Sequence, residues 1–500
     1  MASRREQLDA YNFARRRLVA GFLQPVQANG SEEKAPRPFR AILPGIVVAA
    51  LILTAFGVYG LIRPGVPPGW KNKGSLIVGR DSASRYVYLE GKLHPVLNIA
   101  SGRLLLDPGK FKVNLVPEKA LNSVDHGAPL GIPEAPDRLP SAKEVRRPKT
   151  WTVCERPVVT ADNKNDVGAK PQRSLFIGAA PEFGILQGAE ALFVQQHEDN
   201  AADALKAPLF LVQNGRTYKI ASRQVRTALE LDGVNPQTVS KEWLDTLEPG
   251  EDIDFPSIPH YGTPATVEIP DQFRTVGTVL RAESGNQYYV VGKDAVLPVS
   301  RLVAALMTLR PDARAKVYKD RLPSAFPVAV SELGATISQG TPYGDEKGWP
   351  TELPQMVNRV DAPVDKGRTT VCNTYTGTYS GGVAQTQQSA WTALPARLVD
   401  GMGGVYVEPG AGALVRELTG RADDKTGIVF LVTDAGLRHQ IVNDPPKEGG
   451  AAPAPGADSE AKIRLGYKGV EPTPVPRSWT GLMPVSVPLS VDAARNPQTS

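Results

Sequence analysis

Hydrophobic positions follow two regimes along this chain. From Ala41 to Ile62 they are nearly continuous, twenty-two residues without a charged side chain and rich in Leu, Ile, Val and Ala. As a helix rising about 1.5 Å per residue, such a segment reaches about 33 Å, enough to cross a hydrocarbon core of about 30 Å. Gly45 and Ala49, four apart, put two small residues on one face of it, a spacing that permits close packing against another span. Beyond the span, apolar residues come in short runs broken by turn residues, the pattern of strands.

The segment before the span predicts a helix with its own start signal. Ser3-Arg4-Arg5-Glu6 fits a capping box, in which the Ser oxygen and the Glu carboxylate each satisfy a first-turn amide. Leu8, Tyr11, Leu18, Phe22 and Leu23 recur near helical spacing until Pro25 ends the pattern, and residues 26–40 read as a polar linker. Lys and Arg favour the cytoplasmic side of a span. Arg4, Arg5, Arg15, Arg16, Arg17, Lys34, Arg37 and Arg40 precede it, so the expected topology is N-terminus inside and residues 63–500 outside. An uncleaved anchor is favoured over a signal peptide because the apolar run is long and no A-x-A site follows. A basic helix beside a membrane suits anionic headgroups or a cytoplasmic partner.

The outer part repeats itself. Tyr86–Leu89, Leu209–Val212, Tyr288–Val291 and Ile428–Val432 are each followed by a turn and a second apolar run. The turn Asn214-Gly215 is a strong hairpin signal, since both residues tolerate positive φ. Thr152-Val153-Cys154 lies between the first two hairpins and Thr370-Val371-Cys372 between the last two. Gly233-Val234-Asn235-Pro236 with Val239 and Trp243 matches Gly469-Val470-Glu471-Pro472 with Val475 and Trp479, 236 residues later. One duplication explains these matches and predicts a pseudo-two-fold ectodomain. Its expected form is α+β, mainly β, with a central β core and four hairpin-based repeat modules after a single N-terminal transmembrane helix.

The expected divisions are residues 1–40, cytoplasmic helix and linker; 41–62, span; and 63–73, linker. Repeat 1 covers 74–145 and the first core half 146–200. Repeats 2 and 3 cover 201–265 and 266–350, the second core half 351–425, and repeat 4 with the tail 426–500. Helix-compatible spacing at Ser222–Leu231 and Arg301–Arg310 could cover the sheets. Pro445–Pro455 reads as an excursion inside repeat 4.

Charge narrows the functions. The net charge of +5 is close to what the N-terminal arm alone supplies, and no basic run is interleaved with aromatics, so no nucleic-acid surface is expected. The 45 prolines and 47 glycines favour strands and turns over bundles. Both cysteines fall outside, where oxidising conditions favour one intramolecular disulfide over two buried free thiols.

No catalytic constellation emerges. His94, His126, His197, His260 and His439 are far apart, with His94 and His439 in second hairpin strands. Gly377-Thr378-Tyr379-Ser380-Gly381 places its serine one position late for a nucleophile elbow and reads as a loop. Asp162, Asp166 and Gly168 hint at a calcium loop, but Lys164 takes a ligand position, and a solvated loop is favoured. Gly420–Thr426 lacks the glycine before its lysine that a phosphate loop needs, and Asp424 would repel phosphate. No catalytic or metal residue is therefore assigned.

The whole combination resembles the EccB family of actinobacterial type VII (ESX) secretion systems. It includes the basic helix with Gln7, Tyr11, Phe13 and Arg15-Arg16-Arg17, and the early span. Asn98-Ile99-Ala100-Ser101, Gly131-Ile132-Pro133, Trp151-Thr152-Val153-Cys154 and Val407-Glu408-Pro409-Gly410 also resemble the family pattern. The resemblance implies a structural subunit of a plasma-membrane secretion complex, with EccC-like ATPase, EccD-like and EccE-like partners, further EccB copies and membrane lipid. It also implies that Cys154 and Cys372 form the family's disulfide, and that the repeats are similar to cell-wall-binding modules. Family members are sometimes described as ATPases, so an extracytoplasmic NTPase and a wall-binding module are the alternative functions. ATP enters only through the resemblance; no other cofactor is expected.

Overall fold

The computed structural model describes residues 3–23, 39–62, 65–180, 184–380, 382–392, 404–419, 426–442 and 458–498. Most of the 26–40 linker, Gly420–Lys425, Gly381 and Pro445–Pro455 lie outside the described residues. Two compact units divide the chain, one holding Met1–Trp70 with Gly79–Ser82 and Asn114–Ser123, the other the remainder.

In the first unit, a helix runs Arg4–Leu23. The Ser3 amide donates to Glu6 Oε2 at 2.8 Å, half of the expected capping box. Leu8, Tyr11, Phe13 and Leu18 are all exposed on it. A second helix runs Phe39–Ile62, two residues earlier than the apolar run suggested, because Phe39 and Arg40 continue its geometry. Its window Ile42–Tyr59 has a mean hydropathy of 2.3 and no buried residue, long and apolar enough to cross a membrane.

The second unit is α+β and mostly sheet. Among the described residues its central sheet has five strands, in the order Val383–Trp391, Thr370–Ser380, Trp151–Arg156, Gln172–Ile177 and Val405–Val407. The two cysteine-bearing strands lie side by side and antiparallel at its middle. Gly377, at φ 82°, sits at a bulge inside Thr370–Ser380, so Gly377–Ser380, expected as loop, is strand.

Four further sheets carry the hairpins. Ser75–Gly79, Arg85–Leu89 and Lys92–Pro95 form an antiparallel meander, as do Val279–Ala282, Tyr288–Val291 and Val296–Val299. The second and fourth sheets share a fuller plan, with a parallel strand at each edge, where the third has the parallel strand Phe326–Val328 beside Val279–Ala282. Glu190–Gln196 pairs antiparallel with Leu209–Gln213 and parallel with Gln237–Val239. Ala413–Leu418 pairs antiparallel with Val429–Val432 and parallel with Thr473–Pro476. The registers correspond residue for residue: Val194 faces Phe210 and Gln237, and Val415 faces Phe430 and Thr473. The 236-residue offset seen in sequence thus recurs in strand pairing. Asn214 and Gly215 both have positive φ, 50° and 81°, as their two-residue turn requires.

Some divisions move. Glu190–Gln196 and Ala413–Leu418, assigned by sequence to the core halves, hydrogen-bond into the second and fourth hairpin sheets. Their apolar runs find partners in the hairpins that follow them in sequence, not in the cysteine strands.

The hairpin modules also do not surround the core evenly. One apolar core joins the central sheet to the second and fourth modules, with Trp151, Val153 and Tyr375 against Val194, Trp243, Val415 and Trp479. The first module instead shares a core with the fourth, and the third with the second. Helix Ile99–Leu105 packs on Glu460–Arg464 and Val491–Arg495, while Arg301–Thr308 packs on Arg223–Ala228. Arg464 Nη1 donates to the carbonyls of Leu104 and Leu106, and Arg103 Nη1 to that of Leu465. Tyr218 donates to the Gly348 carbonyl at 3.0 Å across the other pair.

Candidate functional site

At the centre of the sheet the two cysteine-bearing strands, one from each half, pair directly. Because strand residues alternate, Thr152, Cys154, Cys372 and Thr374 project to one face, and Trp151, Val153, Glu155, Val371, Asn373 and Tyr375 to the other. Cys154 and Cys372 are directly opposed, their Cα atoms 4.0 Å apart, and are bonded to each other. Both are buried, under Phe176 and beside Tyr406. The hydroxyls of Thr152 and Thr374 lie 3.0 Å apart on the same face.

The other face carries polar groups that tie it to the second module. Asn373 Nδ2 donates to the carbonyl and hydroxyl oxygens of Thr246 at 3.2 and 3.0 Å. Gln388 Nε2 donates to Asn373 Oδ1, and its own Oε1 accepts the amide of Gly215 at the tip of the second hairpin. Gln237 Nε2 donates to the Thr369 carbonyl. Each buried polar atom in this chain of contacts has a partner, so the network adds geometric specificity without an unmade hydrogen bond.

Glu155 is the ionisable member. It is 1% exposed and accepts the amide of Ser240 at 2.7 Å and the Ser240 hydroxyl as well. Burial pushes its carboxyl up to about 7 against the pull of the two Ser240 hydrogen bonds and of Arg173. Ser240 is in turn the N-cap of helix Lys241–Leu244, accepting the amide of Trp243. The fourth module docks differently: Tyr375 donates to the Pro474 carbonyl at 3.1 Å and its ring lies 5.8 Å from that of Trp479. There Pro476 stands where Ser240 stands in the second module.

None of Glu155, Asn373, Gln388 or Ser240 was singled out in sequence. The available signal was positional: in Trp151-Thr152-Val153-Cys154-Glu155, a carboxylate shares the face of Trp and Val.

The remaining candidates stay apart. His94 and His439 each hydrogen-bond a backbone carbonyl, of Ala128 and Val487, and burial holds the imidazole of His439 below its usual range. His197 approaches Asp199, and the His126 ring meets Tyr86 edge-on. Asp166 Oδ1 accepts the amides of Gly168 and Ala169, while Asp162 pairs with Lys164, so these carboxylates serve their own turn. Among the described residues no group of three or more His, Cys, Asp or Glu is placed to hold a metal ion. This centre pairs the two cysteine strands and packs the second and fourth modules against them.

Comparison with known proteins gives a consistent result. A family model described as type VII secretion system ESX-1, transport TM domain B, EccB, matches residues 1–498. The ESX-3 secretion system ATPase EccB3 of Mycobacterium tuberculosis is 25% identical over 512 residues, covering 96% of this chain and 86% of that protein. Its namesake from Mycolicibacterium smegmatis is 25% identical over 467 residues, covering 87% and 82%. Among solved structures, the EccB3 dimer from the ESX-3 core complex aligns with a TM-score of 0.62 at 22% identity, covering 84% of this chain and 99% of that one. A chain of the intact ESX-5 inner membrane complex aligns at 0.61 and 22%, covering 100% and 96%. At that identity the two structures establish the shared fold.

Proposed function

Because this chain belongs to the EccB family of type VII secretion proteins, we propose that it is a structural membrane subunit joining secretion components on the two sides of the plasma membrane. The observation that carries the reading is the family match across nearly the whole chain, arm, apolar helix and folded domain included. The arginines before the span and their scarcity after it support an N-terminus inside and the disulfide-bonded domain outside. The matching strand plans of the second and fourth sheets support two duplicated halves, each of two hairpin modules and one core strand set. The partners are the other subunits of the complex, EccC-like, EccD-like and EccE-like, and further copies of this chain. Because no residue carries a recognisable nucleotide motif, ATP hydrolysis is not part of the proposal.

Deletion of residues 1–40 tests the inner half of this role. With a C-terminal affinity tag, the truncated chain is expected to insert and form its disulfide but to lose the other membrane subunits on purification from detergent-extracted membranes. Unchanged recovery of those subunits would contradict docking through the arm.

A further inference from the structure

The second and fourth modules share one plan, yet one of the differences in how they dock on the central sheet is ionisable. The second module is held to the central sheet by a buried carboxyl, and the fourth is not. Glu155 grips the N-cap of the helix that carries Trp243, and Trp243 is 0% exposed in the shared core. By sequence offset Asn373 corresponds to Glu155 and Pro476 to Ser240. Pro476 caps its helix without a side-chain bond, and the buried carboxylate that does reach that helix, Glu417 on the Thr480 hydroxyl, belongs to the fourth module's own sheet and not to the central one.

We propose that Glu155 and Ser240 form a proton-linked latch that holds the second module, and with it the third, on the central sheet more firmly at acid than at alkaline external pH. The third module follows because it shares a core with the second, through Leu302 and Leu306 against Phe193, Leu211 and Val225. The first and fourth modules share the other core and stay in place.

The charged groups facing Glu155 are few. Arg173 lies opposite it on the neighbouring strand, and Glu242 comes from the helix that Ser240 caps. Arg173 Nη1 is 3.4 Å from Glu242 Oε2, so much of its charge is already engaged. On the other side, Thr370–Ser380 presents Val371 across from Glu155, and the Gln237–Val239 strand brings no charge. Arg173 therefore does not fully neutralise an ionised Glu155, Glu242 opposes its ionisation, and the two hydrogen bonds from Ser240 are its main support.

The sign follows from the direction of the shift. Burial in the docked arrangement lifts the carboxyl from its ordinary 4.5 to about 7, and undocking would open Glu155 to water and return it toward 4.5, so on this proposal docking takes up a proton. Docking is complete in acid, weakens as pH rises above 4.5, and reaches its floor above about 7. Between pH 5.5 and 8 the docking equilibrium falls by about 30-fold.

Amide hydrogen exchange on the full chain in detergent micelles reads this directly, corrected for the intrinsic pH dependence of exchange. Protection over residues 237–247 is expected to fall about 30-fold from pH 5.5 to 8, and protection over 473–483 to stay level. Glu155→Gln, which keeps the shape and both contacts without the charge, should flatten the response at 237–247. Ser240→Ala removes a donor to the ionised form and should extend the loss to higher pH. An unchanged pH response in Glu155→Gln overturns the proposal, as does a fall shared equally by 473–483. Should Glu155→Gln not fold, the contrast between the two segments in the unaltered protein decides alone: a level response at 237–247 refutes the latch.

Discussion

Replacing Cys154 and Cys372 together by serine is expected to lower the stability of the disulfide-bonded domain by about 2–5 kcal/mol. The bond joins positions 218 residues apart, so its loss frees a very long loop in the unfolded chain. The chain-entropy relation gives about 5 kcal/mol for such a loop, and measured values fall below it. Location matters as well as loop length. The cysteines are opposed at the middle of the central sheet, and the modules of both halves pack on that sheet, so the constraint acts where the halves join. Urea denaturation followed by circular dichroism should show the double variant unfolding at a lower midpoint than the oxidised protein. Reductant should bring the unaltered protein to nearly the same midpoint. Equal midpoints with and without the bond would show that the hydrogen-bonded pairing of the two strands suffices.

Trp243→Ala and Trp479→Ala are each expected to cost about 3–5 kcal/mol, as large-to-small substitutions of fully buried aromatics do. The two indoles are 0% and 1% exposed and occupy matching positions in the second and fourth modules, both in the core under the central sheet. Each would leave a cavity beside strands held by long-range pairing, where the backbone has little freedom to close it. Trp243→Phe should cost less, since it retains most of the apolar contact and removes an indole N–H that meets no acceptor among the described residues. Thermal unfolding of the three variants in micelles gives the order directly. A Trp479→Ala effect below about 1 kcal/mol would mean that the two sites, alike in sequence, are not alike in packing.

These tryptophans mark how far the sequence could be read. The match around Val239–Trp243 and Val475–Trp479 was visible because a repeated pattern is a local property, and so were the apolar helix and the Asn214-Gly215 turn. The structure adds what each match means in space: both patterns place a strand parallel to the one before the hairpin, at corresponding register. Glu190–Gln196 and Ala413–Leu418 lie in the ranges expected for the core halves yet pair with the hairpin sheets, because an apolar strand does not state its partner and tertiary contacts decide the pairing. The exchange of partners between modules, first with fourth and second with third, has no local signature. It rests on contacts such as Arg464 with Leu104, 360 residues apart. Glu155 carries only a weak local signal, because a lone carboxylate in an amphipathic strand ordinarily faces water, and here it is buried against the Ser240 cap.

The bridging role requires one chain to present its basic helix on the cytoplasmic side of the membrane and its disulfide-bonded domain on the other. Both native cysteines are bonded and unreactive toward maleimides, so a single introduced thiol reports its own side. Leu8 and Leu322 are 62% and 86% exposed, which makes each a suitable reporter position. In spheroplasts treated with a membrane-impermeant maleimide, Leu322→Cys should be modified at once, and Leu8→Cys only after lysis. Modification of Leu8→Cys before lysis, with Leu322→Cys protected, would contradict the proposed orientation and the bridging role built on it.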